Sequence, residues 1–384
     1  MPSSPRSTVF MFVWIVLALS SFSWQCCAVR TSLTSSLLQL QSGTDRHSPQ
    51  PQHYWQQLCD QIAPEHTCGQ EASPNAPSAG RPSAADCPMC HFGAASAARL
   101  YAIQRRDGLG QRLATIVMAM AYAAQHHMNF GGILVPMAFA PHGVNVSRCI
   151  DEYLGGGYSD MWQTVHRPHF EHCLRSDPFL ENLSPPWKDG DNVLYKLSCG
   201  PIDSRKQDAD TLTKPFLTQL RQATRLLTRP TPFFSLGKRH VAIHLRRGDI
   251  MVSPDLVSHF RHIGDGFYVS LLDVIRQVLP NAECHIFSTT EGEVAAADFD
   301  VYRQKGVHVH LDGDVLDDWA HMAQADLLVT APSSFSWVAG LLNNRCVVAF
   351  PHYPHLPDWI VLNESQGLTN LSTLRQCIAD KMLL

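Results

Sequence analysis

A short apolar run, Val241-Ala242-Ile243-His244-Leu245, is rich in β-branched residues and interrupted only by His244. Such a run reads as a buried strand of a parallel sheet, covered on both faces. Similar runs recur at 284–288, 307–311, 327–330 and 346–350. Helical patterns separate them, at 266–279 (Tyr268, Leu271, Leu272, Val274, Ile275 and Val278 on one face), 316–326 and 338–342. Strand and helix in alternation predict a parallel, doubly wound α/β sheet.

The first of these strands empties into Arg246-Arg247-Gly248-Asp249. In an open α/β sheet, ligands bind just beyond the carboxyl ends of the strands. Two guanidiniums there suit a diphosphate, because each offers a planar fork of donors and a charge that does not titrate away. Gly248 allows a sharp turn or a close approach to a ligand, and Asp249 can orient an arginine or accept a hydroxyl proton. Solvated charges at a strand end are the plain alternative for an Arg-Arg pair. The histidine on the strand and the Gly-Asp that follows weigh toward a ligand.

Upstream, Gly108-Leu109-Gly110-Gln111-Arg112 leads into a small, apolar helical run at 114–124, and 130–136 reads as the next strand. Glycine loop, helix and strand open a first Rossmann-like unit, with loop amides aimed above the helix N-terminus. Residues 136–188 read as irregular loops on an acceptor side. An amphipathic helix is expected over 211–227, with Leu212, Phe216, Leu217 and Leu220 on its apolar face. Pro230 and Pro232 stop it, which puts the domain boundary near residue 235. A further hydroxyl-rich turn, Ser333-Ser334-Phe335-Ser336, follows the strand at 327–330 and presents hydroxyls and amides to an anion, or is simply a serine helix cap.

Residues 9–29 are apolar, about the ~20 residues a bilayer span requires, and act as a signal-anchor or a cleaved signal peptide. Residues 31–86 have the Ser, Gln, Pro and Ala composition of a flexible stem. The body, from 87 onward, is then lumenal or extracellular. Of the twelve cysteines, Cys26 and Cys27 lie in the apolar segment, and the others, scattered from Cys59 to Cys377, read as disulfides of open connectivity. Cys87-Pro88-Met89-Cys90 lacks a second C-x-x-C and a preceding βαβ pattern, which favours a structural role. Sequons at Asn145, Asn182, Asn363 and Asn370 agree with a lumenal body. A net charge of −4 offers no basic field for nucleic acid.

The hexapeptide His244-Leu245-Arg246-Arg247-Gly248-Asp249 resembles the H-x-R-R-[GT]-D signature of the α1,2-, α1,6- and protein O-fucosyltransferases. The Gly108–Gly110 loop is similar to the G-x-G-N-Q loop of that superfamily's first domain, with Gln111-Arg112 in place of Asn-Gln. The block 318–342, with Gln324-Ala325-Asp326 and Ser333-Ser334-Phe335-Ser336-Trp337, resembles its third motif. The likeness covers roughly 108–350 and is firmest after Lys238.

This resemblance implies two Rossmann-like domains facing a cleft, the GT-B arrangement, with an acceptor-side domain at 87–235 and a nucleotide-sugar-binding domain at 236–384. It implies an inverting transfer of fucose from GDP-fucose to a glycan or protein hydroxyl in the Golgi or ER lumen, with arginine in place of a metal and no cofactor. Arg246 would grip the diphosphate, helped by Ser333, Ser334 and Phe335. His244 and Asp318 would meet the guanine or ribose, Arg247 and Asp249 would shape the site, and Gly108 and Gly110 would face the donor. The base stays open among Asp249, Asp255 and Asp107, with Asp255 slightly preferred.

Other readings remain. Asp312-Gly313-Asp314 matches the D-x-D of metal-dependent nucleotide-sugar transferases, although acidic residues with glycine are frequent in turns. Arg247-Gly248-Asp249 is also the RGD tripeptide of adhesion proteins, here abutting an apolar strand. A carbohydrate-binding relative without catalysis is a further option.

Overall fold

The structure is a computed structural model; it describes residues 88–94, 97–103, 108–134, 145–157, 162–163, 172–175, 187–196, 210–252, 261–351, 353–362 and 371–382. The apolar segment at 9–29, the stem, Cys87, Asp107, Asp255, Asn182, Asn363 and Asn370 lie outside these residues. Among the described residues, no helix is long and apolar enough to cross a membrane.

The first half is built on β1 (Arg99–Ile103), α1 (Leu109–Gln125), β2 (Asn129–Leu134), α2 (Val146–Leu154), β3 (Trp162–Gln163), β4 (His172–Arg175) and β5 (Asn192–Lys196). Its five strands form one sheet in the order β3-β2-β1-β5-β4, every pairing parallel. After α3 (Lys214–Ala223), the second half follows as β6 (His240–His244), α4 (Asp249–Val252), α5 (Asp265–Val278), β7 (Glu283–Ser288), α6 (Asp300–Arg303), β8 (His308–Leu311), α7 (Val315–Gln324), β9 (Leu327–Val329), α8 (Ser334–Leu342), β10 (Cys346–Ala349), β11 (Ile360–Val361) and α9 (Leu371–Met382). Its six strands are ordered β11-β10-β9-β6-β7-β8, again all parallel. The expected α/β architecture of two Rossmann-like sheets is present.

Several elements differ from the sequence expectation. α1 begins at Leu109, directly after its N-cap Gly108, not at 114; Gln111-Arg112-Leu113-Ala114 are good helix formers and extend it back to the glycines. The region expected to be irregular, 136–188, contains α2, whose N-cap Asn145 accepts from the Arg148 amide at 3.0 Å and whose C-cap Gly155 has φ +86°. The serine turn is already helical from Ser334, with Ser333 as cap. β1, β5, β11 and α9, with the short strands β3 and β4 inside 136–188 and the short helices α4 and α6, add to the expected elements.

Strands β6, β7, β9 and β10 divide their side chains between two apolar layers, as parallel strands covered on both faces require. Val241, Ile243 and Leu245 pack with Tyr268, Leu271, Leu272 and Ile275 of α5. Ala242, Leu328 and Val347 face the other way, onto Leu316, Trp319, Val338 and Leu341. That second layer continues into the first half through Leu100, Leu113, Ile116 and Val117. Each such buried aliphatic side chain contributes about 1.5–3 kcal/mol. Polar links cross at the same place: the Tyr153 hydroxyl donates to the Val338 carbonyl at 2.8 Å, and Arg221 Nε donates to that of Leu341 at 3.0 Å.

The cysteine expectation holds only in part. Cys346–Cys377 is a disulfide joining β10 to α9, and Cys90 is disulfide-bonded. Cys149 and Cys284 are free and buried; each sits within a helix or strand among apolar side chains, where a thiol packs as a small hydrophobe.

Candidate active site

Strand order marks a place for a ligand before any side chain is considered. From β6 the chain builds outward through β7 and β8, then returns to lay β9 on the other side of β6. The loops leaving β6 and β9 diverge at this reversal, and open α/β sheets bind ligands at such a switch point. The first sheet reverses likewise at β1, flanked by β2 and β5, and Gly108 opens the helix that follows β1.

The two halves meet at Phe335. A Cβ added to Gly110 would fall 2.5 Å from the Phe335 amide nitrogen and 2.7 Å from its Cα, so only glycine lets α1 approach α8 this closely. The Phe335 ring lies 5.2 Å from that of His244 and 5.3 Å from Trp319, whose indole donates to the Phe335 carbonyl at 2.9 Å. Gly110, His244, Ser333, Ser334 and Phe335 thus come together, with Asp318 one residue before Trp319. Nothing lies within 4 Å of a Cβ built on Gly108.

Around this hub, among the described residues, three buried side-chain polar atoms have no hydrogen-bond partner: His244 Nδ1, Arg246 Nε and Asp318 Oδ1. A buried polar atom left unpaired costs about 1–3 kcal/mol, so each of the three marks a place shaped for something polar. Electrostatics agree. Burial, then the guanidiniums of Arg246, Arg247 and Arg261, hold the His244 imidazole down at about 3, and the ring stays neutral. Burial, then Asp317, Asp314 and Asp312, push the Asp318 carboxyl up to about 8. Space beside Asp318 comes from Gly313, where a Cβ would fall 2.7 Å from Oδ1.

The two arginines of the motif part ways. Arg246 donates to the Arg247 carbonyl at 3.1 Å and pairs with Asp249, which is half exposed at the start of α4. Arg247 is buried; it donates to Asp265 at 2.5 Å, an oxygen also held by the Tyr302 hydroxyl at 2.6 Å, and to the Arg246 carbonyl at 3.0 Å. Arg247 therefore pins the loop to α5, and Arg246 is the guanidinium with an unused donor. Gly248, with φ +79°, makes the turn between them and Asp249; a Cβ there would also meet Thr289 Cγ2 at 2.9 Å.

Sequence reasoning missed Arg261. Its Nε donates to the Pro332 carbonyl at 3.2 Å, and its charge bears on both His244 and Arg246. It belongs to no motif and precedes α5 in a stretch without periodicity, so only folding reveals it.

The competing features have local employment. Asp312 accepts from the Thr290 hydroxyl at 2.5 Å, from the Thr290 amide at 2.9 Å and from the Thr289 hydroxyl at 2.7 Å; the Thr290 hydroxyl does most to hold its carboxyl below the usual range. Asp314 caps α7, accepting from the Leu316 amide at 2.9 Å. The RGD tripeptide has its arginine buried in an ion pair and its glycine packed on Thr289, unlike an exposed loop tip.

No protein-family model matches the chain, and no curated protein matches it. Solved structures do: POFUT1 in complex with GDP, at 10% identity and a TM-score of 0.38, over 70% of this chain and 99% of that one; and the E. coli heptosyltransferase WaaC with ADP, at 10% identity and 0.39, over 73% and 99%. In another crystal form of POFUT1 with GDP the match is 13% identical with a TM-score of 0.27, and spans 44% of this chain and 54% of that one. Likenesses this shallow concern the path of the chain and not its chemistry.

Proposed function

We propose that the chain is a nucleotide-sugar glycosyltransferase that moves fucose from GDP-fucose to a hydroxyl of a glycan or protein, with inversion and without a metal. One observation carries the reading: the unpartnered buried atoms belong to His244 and Arg246, where β6 ends at the switch point, and to Asp318 on α7, residues that the fucosyltransferase-like motifs assign to the donor. Motif and geometry meet on the same side chains.

In this reading the diphosphate takes Arg246 together with Ser333, Ser334 and the start of α8, where amides and the helix dipole favour an anion. Neutral His244 and the Asp318 carboxyl receive the guanine or ribose. Asp249 holds Arg246, Arg247 fixes the loop, and Gly108 and Gly110 bring the first half against the donor. The acceptor oxygen attacks the anomeric carbon as the bond from that carbon to the β-phosphate oxygen breaks. The electron pair leaves on GDP, and Arg246 stabilises the growing negative charge. The acceptor's proton goes to a carboxylate, for which Asp255 is preferred. A membrane-anchored enzyme with its body in the Golgi or ER lumen fits the apolar 9–29 segment.

The test is donor hydrolysis and transfer by the full chain across GDP- and UDP-sugars. GDP-fucose should be turned over, equally in EDTA and in Mn²⁺, and Arg246→Ala should lower turnover by about 10²–10³-fold, the usual effect of removing one charge-stabilising donor. Turnover of UDP-sugars alone, or only with Mn²⁺, would overturn the donor and metal assignments, and full activity in Arg246→Ala would overturn the site.

A further inference from the structure

The end of the second sheet opposite the arginines gathers histidines. His240 opens β6, Glu283 opens β7, and His285 lies two residues further on. In the parallel pairing of these strands His240 stands opposite Glu283. Register partners, and residues two apart along a strand, share a face of the sheet. The three side chains therefore project together, and their ligand atoms all lie within 4.8 Å of one another.

The finer geometry suits an ion. His240 Nδ1 is 3.3 Å from His285 Nε2 and 3.7 Å from Glu283 Oε2. Donors around a tetrahedral ion bound at about 2.0–2.1 Å are separated by roughly 3.3–3.4 Å, so closure needs only side-chain adjustment. The rings are also held from behind. His240 Nε2 lies 2.9 Å from the Ser235 carbonyl; a carbonyl only accepts, so Nε2 carries the proton and the Nδ1 lone pair faces Glu283 and His285. Phe234 stacks on His240 at 4.2 Å and 4°. His285 Nδ1 is 3.1 Å from His310 Nε2, and the Ser235 hydroxyl bonds Glu283. Outer partners of this kind fix the tautomer and orientation of metal-bound imidazoles. The imidazoles are buried, while the Glu283 side chain keeps 25% of its surface exposed and gives an ion a way in.

We propose that His240 Nδ1, His285 Nε2 and the Glu283 carboxylate bind a divalent transition-metal ion, Zn²⁺ by this nitrogen and oxygen donor set, clamping the starts of β6 and β7. Two imidazoles with one carboxylate favour such ions over Mg²⁺ or Ca²⁺, which take mainly oxygen ligands. Without a metal, one proton on His285 Nε2 bridges the rings and leaves Glu283 outside; a divalent cation engages all three. The site is remote from the donor residues, and its role is structural.

The full chain, stripped by dialysis against a chelator, is titrated with Zn²⁺ in competition with a chromophoric chelator and, separately, with Co²⁺ read by its visible absorption. Wild type should take up one tight equivalent, show a tetrahedral Co²⁺ spectrum and melt at a higher temperature with Zn²⁺ than without. Glu283→Gln, at a partly exposed position, should melt like metal-free wild type, keep its donor turnover and bind Zn²⁺ at least about 10–100-fold more weakly, the loss typical even of removing an outer partner. His240→Asn should behave likewise toward Zn²⁺. Absence of a tight equivalent in wild type, or unchanged affinity in both variants, would overturn the site and leave a neutral hydrogen-bonded histidine chain.

Discussion

Burial among other carboxylates gives Asp318 a property that an exposed aspartate lacks. Its carboxyl is pushed up to about 8, against about 3.9 in an unfolded chain. Below 3.9 both states hold the proton; between 3.9 and 8 only the folded state does. Stability linked to this group is therefore full in acid, falls as pH rises through that window, and is lost above 8. Asp318→Asn, equal in shape but uncharged, should unfold at higher denaturant than wild type at about pH 9, by an amount on the order of a few kcal/mol, with the gap closing toward about pH 4. Binding has a matching signature. A nucleotide N–H or O–H brought to Oδ1 favours the ionised form, so GDP binding near neutral pH should release close to one proton in wild type and none in Asp318→Asn. The dependence of calorimetric heat on buffer ionisation enthalpy reads this directly. At this scale the three residues with unpaired buried atoms, His244, Arg246 and Asp318, all fall in motifs that the sequence displays. The separate duties of Arg246 and Arg247 were not legible, because neighbours in sequence say nothing of which faces Asp265. Arg261 carried no signal.

Helix α1 and helix α8 approach through a glycine, and that contact makes a prediction at the scale of elements. Gly110→Ala should cost about 1–3 kcal/mol, the price of overpacking, since the new methyl meets Phe335 backbone and not a flexible side-chain end. Gly108→Ala, two residues earlier and with open space around it, should stay within about 1 kcal/mol of wild type. Chemical denaturation of the pair checks both; equal losses would contradict the contact. Element types were readable where apolar periodicity was strong, as in β6, α5, β7 and α7. β1 escaped because Arg99 and Tyr101 interrupt its apolar run, and α2 because its neighbourhood of glycines and prolines reads as loop. α9 is polar overall, and it is tied to β10 through Cys377, a tertiary link that sequence spacing does not disclose.

At the level of the whole molecule, strand order decides where chemistry can occur, and strand order was the least legible feature. Alternation predicts parallel sheets, but that β9 returns to pair with β6 depends on long-range pairing. The continuous apolar layer from α1 to α8 is also a tertiary fact, since each helix alone shows only that it is buried. The Cys346–Cys377 bridge acts on this scale too. Cys377→Ser should lower stability by about 2–4 kcal/mol, as removal of a disulfide usually does, while leaving nucleotide affinity unchanged, because the bridge is in the β10–α9 region and the donor residues follow β6 and β9. The central claim is that the unpaired atoms at the β6–β9 switch point receive a guanine nucleotide through Arg246. Calorimetric titration of GDP into wild type and Arg246→Ala tests it most directly. The account predicts one site in wild type, little response to UDP, and affinity about 10–100-fold weaker in the variant, matching charge-assisted hydrogen bonds worth about 1.5–3 kcal/mol. Equal GDP affinity in the two proteins, both folded, would contradict it.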